Sequence, residues 1–284
     1  MTDPIRLQGL HVAITGGARG LGAATAERLR REGARVTLGD VDVAAVEETA
    51  ARLGAVGLPV DVTSRESFTA FLDAAEADHG PLDVLINNAG IMPIGPFLDE
   101  PDDVARRLFD INVHGVILGM KIALPRMLAR GSGHIVNLAS AAGRTASLPG
   151  EATYVATKHA VVGLSEAVRC ELEGTGVGVT TVLPNLANTR LGSGMRSARG
   201  MKKLEATEIA DAIVEGLRER RAEVYIPRSL RPLTVLDLAL PRRAKRVVHR
   251  VFGTDQIAQD FEHAGRAAYQ EAAGRPLQEP ARRG

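Results

Sequence analysis

Residues 10–22 read Leu10-His11-Val12-Ala13-Ile14-Thr15-Gly16-Gly17-Ala18-Arg19-Gly20-Leu21-Gly22, and residues 23–31 that follow are rich in good helix formers, with Gly33 as the stop. A short apolar run that ends in glycines and opens a helix is a strand–turn–helix unit. Helix N-termini leave amide N–H groups unpaired and carry partial positive charge, so such a turn attracts phosphate, and glycine lets the backbone come close to it. The spacing here is Gly16, Gly20, Gly22. It is G-x-x-x-G-x-G, not the G-x-G-x-x-G of the general dinucleotide fingerprint. A tight strand-to-helix connection with no ligand uses the same glycines, so the turn alone leaves both readings open.

Outward from this unit the chain alternates. Further strands are expected at 34–39, 55–60, 84–86, 134–138, 177–183 and 224–226, with helices between them. Ser64, with Ser67 three residues on, is placed to cap the helix that runs to about Asp78. A long helix is expected from Asp102 to Ala129, kinked at Pro125. Several strands are continuous apolar runs, which fits burial on both faces of a parallel sheet. The fold class that follows is α/β: a Rossmann-type, doubly wound parallel sheet of about seven strands with helices on both faces. One such domain is expected over residues 1–227, followed by an arginine-rich helical extension over 228–284.

Composition narrows the function classes. The chain has 284 residues, 45% hydrophobic and 24% charged, which excludes disordered and coiled-coil classes. A net charge of +1 argues against a surface built for nucleic acid. Aromatic residues at 3%, with no Trp, speak against base-stacking platforms. One cysteine, Cys170, excludes an internal disulfide and a Cys-rich zinc site. No metal, P-loop or G-x-S-x-G pattern is present, so a serine hydrolase centred on Ser140 is not supported. With no leader-like start and no uninterrupted apolar run of spanning length, a cytoplasmic protein is expected.

Acidic residues end two strands. Asp40 lies about 20 residues past the glycines, where a carboxylate can accept bonds from an adenosine ribose and repel a 2′-phosphate; that favours NAD over NADP. Arg19 pulls the other way, and Asp40 can instead cap a helix. Asp61 can bond an adenine amino group or cap the next turn. Tyr154 and Lys158 lie four apart on an expected helix and so share one face. A tyrosine near its ordinary pKa of about 10 is a poor base at neutral pH, and a nearby ammonium lowers that value. Ser140 ends a strand at the same edge and can bond a substrate oxygen. Singly, each of these residues has an ordinary structural explanation.

As a set they do not. The sequence resembles the short-chain dehydrogenase/reductase family in Thr15–Gly22, in Asn87-Asn88-Ala89-Gly90, in Asn112, in Ser140 after Ile135–Ala139, and in Tyr154-Val155-Ala156-Thr157-Lys158, all in family order between about residues 8 and 226. The resemblance implies a nicotinamide cofactor and a catalytic tetrad. In it Tyr154 is general acid or base, Lys158 lowers the tyrosine pKa and holds the nicotinamide ribose, Ser140 orients the carbonyl, and Asn112 anchors a proton-relaying water. It further implies that Gly16, Arg19, Gly20, Leu21 and Gly22 cradle the phosphates and that Asp40, Asp61, Val62, Asn88, Ala89 and Gly90 line the adenosine side. Pro184 and Thr189 then meet the nicotinamide. The sequence has Pro184-Asn185 where the family often has Pro-Gly, which puts substrate placement in question. The reaction expected is hydride transfer between the cofactor and a secondary alcohol or ketone, hydrophobic by family resemblance. The rival is a dinucleotide-binding redox sensor, against which the complete tetrad speaks.

Two segments fall outside this pattern. The loop 185–205 is expected to fold over a small-molecule substrate, with Leu191, Met195 and Met201 as adaptable apolar contacts. From Arg228 on, arginines flank the apolar run Leu233–Leu240, which reads either as a cover on the pocket or as a contact with anionic lipid, the cover being favoured. Residues beyond Gly274 look like a frayed tail. A homodimer or homotetramer is carried over from the family as an expectation.

Overall fold

Strands made of uninterrupted apolar residues are stable only where both faces are covered. The computed structural model describes residues 4–145, 149–195, 202–252 and 263–274. Its strands are β1 (His11–Thr15), β2 (Arg35–Asp40), β3 (Val56–Pro59), β4 (Val84–Asn87), β5 (Gly133–Leu138), β6 (Val177–Pro184) and β7 (Glu223–Ile226). They form one parallel sheet in the order β3-β2-β1-β4-β5-β6-β7. Each lies within one residue of its expected bounds. β1 is central: Ile14 stands opposite Leu38 on one side and Ile86 on the other.

The helices are α1 (Gly20–Arg31), α2 (Val43–Leu53), α3 (Arg65–His79), α4 (Asp102–Phe109), α5 (Gly115–Arg130), α6 (Ala152–Glu171), α7 (Ala206–Arg218), α8 (Leu230–Ala239), α9 (Arg242–Phe252) and α10 (His263–Ala272). α1 packs on α7 and α2, and α3 packs on α5. The sheet therefore has two cores. Val12, Ile14, Leu29, Leu38 and Ile213 belong to one, and Ala13, Phe68, Leu72, Leu85 and Val161 to the other. Alternate residues of β1 serve opposite faces, as the pleat requires. A third cluster, with Met92, Ile94, Leu108, Val155 and Met195, packs around Tyr154.

Local chemistry explains several boundaries. Ser64 caps α3 as expected, its Oγ accepting the Ser67 N–H at 3.2 Å. α2 is capped by Asp42, which accepts the Ala45 N–H at 3.2 Å, so the capping role considered for Asp40 falls two residues on. The long helix expected from Asp102 is broken elsewhere than foreseen. Pro125 sits inside α5, while the chain widens into a π-turn over Asp110–His114, which sets Asn112 apart from the regular helices on either side. Asp102–Arg130 is long and apolar enough to cross a membrane by composition, contrary to the expectation from apolar runs, yet half of its most apolar window is buried inside the fold.

The extension after β7 begins with α8, and Leu233, Leu236 and Leu240 join the wall of the large cleft at the carboxyl edge of the sheet. That placement corresponds to the cover. α10 returns across the molecule: Gln270 Nε2 donates to Ile94 O at 2.6 Å and its Oε1 accepts the Ile94 N–H at 3.2 Å. Met201 and the tail beyond Gly274 lie outside the described residues.

Gly16, Gly17 and Gly22 in and after the turn that follows β1 leave no room for a side chain. Gly16 has φ +66°, and a Cβ on Gly22 would overlap the Gly16 carbonyl oxygen. Gly22→Ala is expected to destabilise the protein by about 1–3 kcal/mol through overpacking, read as a lower midpoint in urea denaturation. An unchanged midpoint would mean that the turn relaxes freely.

Candidate active site

The cleft at the carboxyl ends of the strands has a volume of about 1590 Å³. It opens between the turn after β1 and the segment after β4, on either side of the point where the strand order reverses; open α/β sheets bind ligands there. Asn88 joins the two sides, its Nδ2 donating to Thr15 O and to Gly16 O, both at 2.9 Å. This amide is committed to shaping the turn, a role the sequence did not disclose beside the expected adenosine contact.

The cofactor end fits a dinucleotide. α1 begins after Arg19 with no side-chain cap, so its first amides are free to meet an anion, and Gly16, Arg19, Gly20 and Leu21 line the cleft at that point. Gly22 stays out of the wall and serves the close packing described above. Asp40, Asp61, Val62, Asn88, Ala89 and Gly90 line the next stretch. Asp40 accepts the Ala18 N–H at 3.1 Å and the Asp42 N–H at 3.2 Å, so its carboxylate is held by backbone. Asp61 accepts from the Thr63 N–H at 2.9 Å and from its hydroxyl at 2.7 Å, so it supports the turn and still lines the cleft. Arg19 is paired with Asp42 at 2.6 Å, and this pairing holds the Asp42 carboxyl below the usual range. Pro184 and Thr189 close the far side, with Thr189 next to Gly20.

Ser140, Tyr154 and Lys158 meet at the other end. The Ala142 N–H donates to Ser140 Oγ at 3.1 Å and the Ser140 hydroxyl donates to Pro184 O at 3.5 Å, close enough to the Tyr154 phenol to favour its ionised form. Lys158 Nζ lies 5.6 Å from the Tyr154 ring centroid and donates to Leu138 O at 2.9 Å. All three line the cleft, although Tyr154 and Lys158 are otherwise buried. Asn112 stays out of the wall. Its Oδ1 accepts the Ile91 N–H at 2.9 Å, while Nδ2 donates to Ile91 O at 2.9 Å and to Thr157 Oγ1 at 3.2 Å. It braces the segment after β4 against α6; Thr157 Oγ1 passes the link on by donating to Tyr154 O at 2.7 Å, and the space left by Gly90 lies beside both Asn112 Oδ1 and Lys158 Nζ.

The electrostatics differ from the sequence expectation. The Tyr154 phenol is held above its ordinary value, first by burial and then by the Glu151 carboxylate, while the Ser140 hydrogen bond pulls it down. Lys158, expected to do the lowering, is itself pushed down to about 8 by burial. An ammonium that is costly to charge is a weak lever on a phenol that is costly to ionise.

Sequence reading missed the residues around this cluster. Glu151 is 5% exposed and lines the cleft one turn ahead of Tyr154, its backbone carbonyl accepting the Val155 N–H at 2.8 Å. Arg266, from α10, is fully buried; it donates to Met92 O, to Leu191 O at 2.7 Å and to Ser193 O at 3.1 Å, and stacks over Tyr269. Tyr269 Oη accepts the Met92 N–H at 2.7 Å. Thus α10 ties together the segments after β4 and β6, Leu191 and Met195 with them, at the substrate end. Glu151 could have been noticed from its three-residue offset to Tyr154; nothing in the sequence links Arg266 or Tyr269 to it.

A phosphate cradle and a buried Ser–Tyr–Lys cluster in one cleft of a doubly wound sheet define a nucleotide-binding oxidoreductase. Residues 10–200 match the short chain dehydrogenase family, and the chain belongs to it. It is 38% identical over 186 residues to probable oxidoreductase EphD of Mycobacterium tuberculosis (63% of this chain and 31% of that protein), so it spans about a third of that relative's length. It is 32% identical over 249 residues to estradiol 17-beta-dehydrogenase 11 of Mus musculus, covering 84% of this chain and 83% of that protein. The fold superposes with a TM-score of 0.76 on a short chain dehydrogenase/reductase from Burkholderia phymatum in complex with NAD, at 29% identity, over 82% of this chain and 94% of that one.

Burial of Lys158 has a stability consequence. Below about pH 8 the side chain is charged in both folded and unfolded protein and the desolvation penalty is complete; it is relieved as pH rises from about 8 towards 10.5. Lys158→Met is therefore expected to be at least as stable as the parent at pH 7, by up to about 3 kcal/mol, with the difference shrinking across that window. Thermal melts at pH 7 and pH 10 test this, and a variant several degrees less stable at pH 7 would contradict the cost assigned to the buried ammonium.

Proposed function

We propose that this protein is an NAD-dependent dehydrogenase/reductase that interconverts a hydrophobic secondary alcohol and its ketone, with Tyr154 as the general acid/base. The observation that carries the reading is the meeting of Ser140, Tyr154 and Lys158 in the cleft that also holds the uncapped start of α1. A bound nicotinamide would supply the hydride donor or acceptor and, when oxidised, a positive charge.

The residues divide the remaining work. In oxidation Tyr154, as phenolate, takes the substrate hydroxyl proton while the carbinol C–H bond breaks; in reduction the phenol returns it to the carbonyl oxygen. Ser140 turns its single hydroxyl hydrogen from Pro184 O to the substrate oxygen. Lys158, anchored on Leu138 O, would hold the nicotinamide ribose. Asn112 acts on the cluster from behind, by fixing the segment that carries Ala89 and Gly90; a water held on its remaining lone pair fits this arrangement. Met92, Met195 and the leucines of α8 make the substrate end apolar, which supports a hydrophobic substrate.

Preference for NAD is supported by the carboxylates at the tip of β2. Asp40 is locked in place by two backbone amides, and the Arg19 guanidinium that would favour a 2′-phosphate is engaged by Asp42. Exposed ion pairs are weak, so the two carboxylates count for more than the pairing.

A panel of secondary alcohols with NAD and NADP in parallel, followed at the absorbance of the reduced cofactor, tests the reaction. Tyr154→Phe is expected to lose about 10²–10⁴-fold in kcat while its affinity for NAD, measured by calorimetry, stays within twofold of the parent's. Turnover at the parent rate would remove Tyr154 from the chemistry. Asp40→Asn retains the acceptor for Ala18 and is expected to shift the NAD/NADP ratio of kcat/KM towards NADP by at least about tenfold, or about 1.4 kcal/mol. An unchanged ratio would leave the cofactor preference to other groups.

A further inference from the structure

After β7 the chain turns basic. Residues 228–252 hold seven lysines and arginines against one carboxylate, Asp237. That carboxylate is largely buried: its Oδ2 accepts from Lys245 Nζ at 3.3 Å and from Thr145 Oγ1 at 3.5 Å. The Lys245 contact also ties α9 to α8. Arg231, Arg243 and Arg250 are exposed, and among the described residues they enter no ion pair. The outward charge of the two helices is therefore positive.

The same helices leave large apolar side chains in water. Leu230 and Thr234 turn the inner side of α8 to the protein, while Leu233, Val235 and Leu236 are 47–60% exposed. On α9 Lys245, bonded to Asp237, marks the inner side. At 3.6 residues per turn Arg243, Val247, Arg250 and Val251 fall on the opposite half, where Val247 and Val251 are 63% and 60% exposed. Of the eleven large hydrophobic side chains exposed among the described residues, five thus stand on these two helices. Apolar surface gathered in this way marks an interaction site rather than ordinary scatter.

Charge selects the partner. A second copy docked face to face would set guanidinium against guanidinium, because a two-fold interface pairs a patch with itself. Nucleic acid would pair the arginines and leave the valines and leucines wet. An anionic bilayer meets both needs: its phosphates attract the arginines, and the aliphatic side chains enter the headgroup and acyl boundary. We propose that α8 and α9 form a docking surface for an anionic phospholipid bilayer. Leu233 and Leu236 belong both to this surface and to the wall of the cleft, so docking turns the mouth of the cleft towards the lipid. Under the apolar-substrate reading above, the substrate then enters from the acyl phase; the docking itself does not rest on that reading.

The test is co-sedimentation of the full chain with vesicles of equal phosphatidylglycerol and phosphatidylcholine, against vesicles of phosphatidylcholine alone. Binding is expected to the anionic vesicles, weakly or not at all to the neutral ones, and to fall steeply in about 1 M salt, where charges are screened beyond about 3 Å. Arg243→Gln with Arg250→Gln is expected to weaken it at least about tenfold, at about fivefold for each arginine. Val247→Ser with Val251→Ser is expected to weaken it several-fold. All four side chains are exposed, so thermal melts of both variants are expected to match the parent's. Contact is read with a nitrobenzoxadiazole label. On Val247→Cys, in a Cys170→Ser background, the emission is expected to shift to the blue on anionic vesicles. On the exposed native Cys170, near the end of α6, it is expected to stay unchanged. No binding of the parent to anionic vesicles, equal binding by the arginine variant, or binding without a shift at position 247 overturns the surface. So does a change of mass by light scattering in the variants with no vesicle binding by the parent, which would make this face a contact between copies. Vesicle binding by a protein that turns over no alcohol supports the surface and defeats the hydride reading alone.

Discussion

The hydrogen bonds from Asn88 Nδ2 to Thr15 O and Gly16 O close the sheet at the one place where its winding reverses. Chains leaving β1 and β4 turn to opposite faces, so a crevice must open between them. Without a tie across it, the glycine turn would be free to move away from the segment that carries Ala89 and Gly90. Asn88 supplies the tie, and Thr15 Oγ1 reinforces it by accepting the Asn88 and Ala89 N–H groups at 3.1 and 3.2 Å. The glycine turn after β1 and the segment carrying Ala89 and Gly90 are thereby held on one rim.

That rim is dry. Tyr154, Lys158, Glu151 and Arg266 are four ionisable side chains, each less than a tenth exposed, gathered around one end of the cleft. Water would stabilise their charges at little cost; burial makes each charge depend on its neighbours. The result is a phenol that resists ionisation. The fold carries the cost of the buried charges through its two large cores.

Much of the architecture was legible from sequence because it rests on local chemistry. Val12–Ile14, Val84–Ile86 and Ile135–Val136 are too apolar to lie anywhere but in a sheet covered on both sides, and the glycine turn, Asn87–Gly90 and Tyr154–Lys158 carry spacings that only a few backbones use. The long helix was harder to read. Proline at 125 is a strong local signal for a break, yet the departure from α geometry falls at Asp110–His114, where Asn112 bonds to the backbone of Ile91, a partner 21 residues away. Tertiary contacts outweighed local propensity there.

By itself, then, the sequence determined the parallel α/β fold, the family, and the side chains that gather at the carboxyl edge, because strand periodicity and short motifs act within a few residues. The tertiary structure alone decided the electrical state of those side chains. Desolvation depends on everything packed around a group, so the upward shift of Tyr154 and the downward shift of Lys158 have no signature in a four-residue spacing. It alone also brought Arg266 and Tyr269 of α10 to the backbone of Met92, more than 170 residues away in the chain. Such contacts are set by how the last helix packs, and packing is a property of the folded surface rather than of any one segment.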